Sequence, residues 1–182
     1  MSEQGDPVAL NEEGKRLFAE GLYDEAAQRF GRAQELFAAR GDEGQAAEAL
    51  NNLGVTYRLM HRWEQAQEAL EEARAAFARL GDRHREAQAL GNLGSLLASQ
   101  GQRMAAQEYL RRAADTFLDL GDKQLYAETM LALGAQMWKS GDRQGGMQTY
   151  ELGLMSLEKA SAQQKALRGL LGLRNRLLGG RR

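Results

Sequence analysis

An all-α fold made by repeating one two-helix unit is what this sequence predicts, and three observations predict it. The dipeptide Gly-Asp recurs at Gly41-Asp42, Gly81-Asp82 and Gly121-Asp122, a spacing of 40 residues. Aligned without a gap, residues 41–80 and 81–120 share fifteen identities, among them Leu50/Leu90, Asn52/Asn92, Gly54/Gly94, Ala66/Ala106 and Phe77/Phe117. Ala, Leu, Glu, Gln and Arg dominate the 182 residues, and all are good helix formers. One proline and 7% aromatic residues argue against a β-sandwich or a proline-rich linker. An internal period of this size is the mark of a stacked repeat, in which each unit buries its apolar face against the next.

The elements follow in order. Residues 1–6 are expected to be disordered. Asp6-Pro7 then reads as a helix cap followed by proline in the first helical position. Residues 7–40 form unit one, where Leu10, Gly14, Ala26, Phe30 and Ala33 fall one period before their counterparts. Residues 41–80 form unit two. Leu50, Leu53 and Tyr57 share one helical face there, and Ala66, Leu70, Ala73 and Phe77 share another, with Met60-His61-Arg62-Trp63 as the turn between.

Residues 81–120 and 121–160 form units three and four, whose turns carry Gly101 and Gly141 as a helix C-terminus prefers. Two Gly-Asp copies, Gly5-Asp6 and Gly141-Asp142, lie outside the 40-residue register. Between units, glycine takes the left-handed conformation that ends one helix, and aspartate caps the next. Gly54, Gly94 and Gly134 are expected to let the first helix of a pair approach the second.

Residues 161–178 continue the register through Leu170, Leu173 and Leu177, but Arg174 stands at the glycine position. A bulky side chain is tolerable there only where no partner helix packs on it. The segment is therefore expected to be a single capping helix, before a basic tail at residues 179–182. Nine helices are predicted.

At these positions the chain resembles the tetratricopeptide family. That family's pattern of a bulky residue, Leu-Gly, an aromatic, a small Ala, an aromatic and a second Ala is met in unit two by Leu50, Leu53-Gly54, Tyr57, Ala66, Leu70 and Ala73. Unit four departs most, with Met130, Leu133-Gly134, Met137, Gly146, Tyr150 and Gly153. The period is 40 rather than about 34 residues, and the unit-ending proline is absent. Both departures are similar to the longer-helix variety in kinesin light chains and related adaptors. The resemblance implies a right-handed superhelix, an α-solenoid of four helix-turn-helix units plus a C-terminal cap, with first helices lining a concave groove.

The same resemblance implies that ligand contacts come from those first helices. It nominates Asn11, Lys15 and Phe18 in unit one, and Asn51, Asn52, Val55 and Arg58 in unit two. Unit three offers Gln88, Asn92 and Ser95, and unit four Glu128, Ala135, Trp138 and Lys139. Asparagine is a poor choice inside a helix, so Asn51, Asn52 and Asn92 call for a reason. An amide offers donor and acceptor together, which suits the backbone of a bound peptide. The competing readings are that these amides bridge neighbouring helices or face water. Trp138 is either an exposed anchor for a partner or a residue packed under the cap. Trp63 reads as turn packing. Lys15, Arg58 and Lys139 are candidate clamps for an acidic peptide, although a full carboxylate clamp is not in register.

Charge and composition limit the other function classes. The net charge of −1 hides an asymmetry: residues 161–182 hold six of the 24 basic residues and no acid, leaving 18 basic against 25 acidic in the first 160. The basic end is a solvated cap, a helix lying on anionic lipid, or a segment docking in the groove of another copy. The acidic body and the pI near 6.2 argue against nucleic acid as a partner. With no cysteine, disulfides and cysteine chemistry are excluded, which fits a reducing cytoplasm. There is no signal-peptide pattern and no apolar run of membrane length, so a membrane role is not expected. His61 and His84 lack metal-ligand spacing, and no phosphate loop or nucleophile elbow occurs, so neither cofactor, metal nor enzyme activity is expected. The functional expectation is a scaffold that binds a peptide or helix in its groove. The alternative is a structural homo-oligomer held through the groove or the basic C-terminal helix.

Overall fold

In a computed structural model of the chain, residues 5–179 are described, with side chains through Leu171. Residues 1–4 of the expected disordered N-terminus and 180–182 of the basic tail lie outside them, as does the side chain of Arg174. The described residues form nine helices and no strand: α1 (Pro7–Ala19), α2 (Tyr23–Ala39), α3 (Glu43–Leu59), α4 (Trp63–Arg79), α5 (Arg83–Ser99), α6 (Arg103–Asp119), α7 (Lys123–Ser140), α8 (Arg143–Ser156) and α9 (Ala162–Gly179). They fall into two compact units that divide between Gly101 and Gln102.

The punctuation follows a 20-residue rule that the 40-residue repeat contains. Gly21, Gly41, Gly81, Gly101, Gly121 and Gly141 all have positive φ, and His61 occupies the one remaining place in that series with φ 59°. Gly141-Asp142, outside the longer register, is thus an ordinary turn within a pair. His61 stands where its counterparts are glycine, and its ring meets Trp63 edge-on at 4.9 Å. Trp63, the last residue of the expected turn, is instead the first residue of α4. The aspartates act as anticipated. Asp42, Asp82, Asp122 and Asp142 each accept a backbone N–H three residues on, and Asp6 accepts from Val8.

Small residues set the helix spacing. A methyl on Gly54 would lie 2.7 Å from Leu70 Cγ, and one on Gly14 would lie 2.7 Å from the Phe30 ring. The fourth pair is closer still. A methyl on Gly134 would meet the Tyr150 nitrogen at 2.6 Å and the Gly146 carbonyl oxygen at 2.7 Å, so α7 and α8 touch backbone to backbone. Gly146 and Gly153 replace the Ala66 and Ala73 of unit two, and this is why the looser motif of unit four is a tighter contact. Pairs also interlock in sequence. Leu17, Ala26, Ala27 and Phe30 form one core cluster with Leu53, against which Leu50, Tyr57 and Met60 of α3 pack.

The end of α8 has its own device. Arg168 of α9 donates to the Leu154 carbonyl from Nε (3.1 Å) and Nη2 (2.7 Å), and from Nη2 to the Leu157 carbonyl (2.9 Å). These are last-turn acceptors that α8 leaves open. Gln124 Oε1 accepts the Glu158 and Lys159 backbone N–H groups at 3.2 and 3.0 Å, fixing the connection. Leu171 of the cap packs on Ala127, Leu154 and Leu157.

Candidate functional site

Within the unit that ends at Gly101, the first helices α1, α3 and α5 are linked side by side. Lys15 Nζ donates to Glu12 at 2.9 Å and across to Glu48 of α3 at 3.2 Å. Glu48 lies 3.6 Å from Arg85 of α5. Arg85 Nε donates to Asp82 at 2.6 Å, and its Nη1 reaches back to the Gly44 carbonyl at 3.3 Å. The Arg85 guanidinium also sits 5.1 Å over the Phe77 ring. Such half-exposed pairs are worth about 0–1 kcal/mol each, so they fix register more than stability. The bond to Glu12, then that to Glu48, raises the Lys15 pKa against partial burial. Burial pushes the Asp82 carboxyl up, but the Arg85 backbone N–H and guanidinium outweigh it and hold the pKa below its ordinary value.

One asparagine question is resolved by a bond: Asn92 Nδ2 donates to Asn51 Oδ1 at 3.0 Å, bridging α5 to α3. This bond uses one donor of Asn92 and the acceptor of Asn51, leaving Asn51 Nδ2 and Asn92 Oδ1 for other partners. Ser95 is similarly occupied, donating to the Gly91 carbonyl at 3.0 Å. Gln88 and Val55 are half-buried on the same helices, and Phe18 meets Tyr23 edge-on at 5.6 Å.

Three nominated residues stand apart. Asn11 is only 4% exposed, and its buried Oδ1 has no hydrogen-bond partner among the described residues. Asn52 Nδ2 and Arg58 Nε are buried and unpartnered in the same way. Arg58 is half-buried and its pKa is lowered by that burial. An unmade hydrogen bond on a buried group costs about 1–3 kcal/mol, more when the group is charged. Asn11 and Asn52 stand one 40-residue period before Asn51 and Asn92, so two of these atoms, Asn11 Oδ1 and Asn52 Nδ2, are the counterparts of the acceptor and donor of the amide bridge between α3 and α5. Among the described residues the one other such atom is Glu151 Oε1, and that residue has interactions of its own.

In α7 the nominated residues make a different surface. Trp138 is 49% exposed, and Leu171 of α9 packs elsewhere, on Ala127, Leu154 and Leu157. Arg143 lies 6.0 Å over the Trp138 ring. Lys139 is exposed, Ala135 lines a cavity beside Trp138, and Glu128 accepts from Gln124 at 2.6 Å. Sequence reasoning missed Glu48 and Arg85 as the links between first helices, and it missed Arg168. No group of three or more His, Cys, Asp or Glu residues that could hold a metal occurs among the described residues. No helix among them is long and apolar enough to cross a membrane.

Comparison with known proteins agrees with this architecture. A tetratricopeptide repeat family model matches residues 8–79. Among solved structures, BtubC (BKLC) from P. vanneervenii is similar at 25% identity and a TM-score of 0.75, over 83% of this chain and 64% of that one. A Rap protein complexed with Competence and Sporulation Factor is similar in fold at 16% identity and a TM-score of 0.79, over 86% of this chain and 44% of that one. The chain thus spans less than two thirds of the length of either. A comparison with curated proteins finds no match.

Proposed function

We propose, on the premise that this chain is a member of the tetratricopeptide repeat family, that it is a non-catalytic scaffold whose α1–α3–α5 face holds a segment of a partner protein. The observation that carries this reading is Arg58 of α3, a half-buried cation whose buried Nε has no hydrogen-bond partner among the described residues. A carbonyl oxygen of an extended peptide supplies what Arg58 lacks. The inter-helix bonds through Glu48, Arg85 and Asn51 hold the face rigid, so little entropy is lost when the segment docks. Lys15, already paired with Glu12 and Glu48, contributes to that rigidity before it contributes to binding.

The test is affinity capture from a lysate of the source organism, using the intact chain and an Asn52→Ala/Arg58→Ala variant in parallel. A protein retained by the first and lost from the second supports the reading, and equal retention contradicts it. A second reading, self-association through α9, has one observation behind it: Leu170 on this basic helix is 65% exposed. Sedimentation equilibrium tests it, since a monomer at all concentrations removes it.

A further inference from the structure

Between α2 and α4, over the first half of α3, lies a cavity of about 300 Å³. Ala46 and Ala47 form its floor, and Ala38 and Ala76 its walls. The repeat register explains why it exists. One period on, Arg74 of α4 stands 3.8 Å from Glu86 of α5, and the two span the equivalent place. Here those positions are Gln34 and Ala46, a pair too short to do the same. Two periods on, position 46 becomes Tyr126. A cavity at the small end of the range for ligand sites, about 300–1,000 Å³, suits one or two side chains from outside rather than a whole element.

Charge says whose side chains. The rim holds two carboxylates, Glu43 and Glu72, against one cation, Arg79. All three are exposed, and none forms an ion pair among the described residues. The imbalance extends through the compact unit that contains the cavity. Residues 1–101 hold 17 acidic and 11 basic residues, a net charge of −6, whereas residues 102–182 hold 8 acidic and 13 basic, a net charge of +5. Within the basic half, α9 offers apolar side chains of the right kind. Leu167 is 39% and Leu170 65% exposed, with Lys165 exposed beside them. Arg168 and Leu171 are instead engaged with α8, so the leucine pair is on a face that α9 does not use for its own docking.

We infer that a second copy of this chain occupies the cavity: Leu167 and Leu170 of its α9 enter between α2 and α4, and its Lys165 faces Glu43 and Glu72. The contact joins two different surfaces, so it is heterologous and propagates head to tail. The opposite net charges of the two halves steer one copy onto the next. Arg79 opposes the approach, since residues 161–182 carry no acid to meet it. This inference rests on the second reading above, self-association through α9, and names the surface that receives that helix.

Sedimentation equilibrium of the full chain tests it. The expected mass rises with concentration past that of a dimer and falls back as salt screens the charges. Leu170→Asp and Ala38→Trp, both at exposed positions, should each leave a monomer with an unchanged melting temperature. Mixed in equal amounts, the two variants should form a dimer and nothing larger, because one keeps an intact cavity and the other an intact α9. Glu72→Lys should weaken association roughly tenfold, and Arg79→Glu should strengthen it. A mixture that stays monomeric overturns the heterologous contact. Self-association that Leu170→Asp removes, but Ala38→Trp and Glu72→Lys leave intact, overturns the role of the cavity alone and keeps α9 as a self-association surface. A chain that is monomeric at every concentration overturns both, and leaves the cavity to a partner protein.

Discussion

Alanine at Gly134 and at Gly54 should have unequal consequences, although both are helical glycines at the same repeat position. Replacing glycine by alanine inside a helix is worth about 1 kcal/mol of propensity at either site. Against it stands the space available. At Gly54 the new methyl would lie 2.7 and 2.9 Å from Leu70 Cγ and Cδ2, atoms of a side chain that can rotate. At Gly134 it would lie 2.6 Å from the Tyr150 nitrogen, 2.7 Å from the Gly146 carbonyl oxygen and 2.9 Å from the Tyr150 Cα. No rotamer change relieves a clash with backbone, so α8 must shift as a body and the contacts of Leu154 and Leu157 with α9 shift with it.

Overpacking costs about 1–3 kcal/mol, with the rigid case at the upper end. Gly54→Ala should therefore be neutral to about 1 kcal/mol destabilising, and Gly134→Ala should lose about 2 kcal/mol net. For a chain of this size that loss lowers the melting temperature by about 4–8 °C. Thermal unfolding followed by circular dichroism measures both variants side by side. A Gly134→Ala protein as stable as the parent, as helix propensity alone requires, would refute the backbone-to-backbone packing of α7 and α8.

Other perturbations follow from particular residues. His61→Val should destabilise by about 1–2 kcal/mol, because a β-branched residue is strained at the left-handed φ that His61 adopts, whereas His61→Gly should be tolerated; melting temperatures of the two decide it. Arg168→Ala removes three hydrogen bonds from the α8 terminus, so amide exchange should quicken throughout α9 while α1–α5 is unchanged; unaltered exchange in α9 would show that the cap is held otherwise. The folded pKa of Asp82 is depressed, so its stabilisation is full above the ordinary carboxylate value of about 3.9 and is lost as pH falls through the lower folded value. An Asp82→Asn variant should be less stable near neutral pH and lose less below about pH 4, a difference that paired acid titrations by circular dichroism measure.

The architecture was legible because the repeat is written in residues whose roles are local. Glycine at a turn, aspartate at a cap and small residues at a crossing each act through their own backbone or Cβ, and a 40-residue comparison exposes them. What escaped the sequence depends on where side chains end. Asn51 and Asn92 looked like peptide-binding amides, and their mutual bond required knowing that α3 and α5 stand one amide's reach apart. Glu48 and Arg85 read as ordinary surface charges until the same adjacency joined them. Arg58 was nominated through the family resemblance, but the property that singles it out is a buried Nε without a partner among the described residues. No pattern along the chain records that. Unit four looked like a decayed repeat; Gly146 and Gly153 instead bring its helices closer, since a missing side chain is a loss in sequence but a contact in space.

Arg58 tests the binding role of the α1–α3–α5 face most directly, because the binding and stability of one variant must move apart. Calorimetry with the captured partner, or the peptide mapped from it, would compare the parent chain with Arg58→Met, alongside the melting temperature of each. The account predicts at least roughly tenfold weaker binding at an unchanged or higher melting temperature, since a buried unpartnered nitrogen is removed while its bond to the ligand is lost. Unchanged affinity, or a fall in melting temperature that accounts for the lost binding, would contradict the assignment of the α1–α3–α5 face as the binding surface.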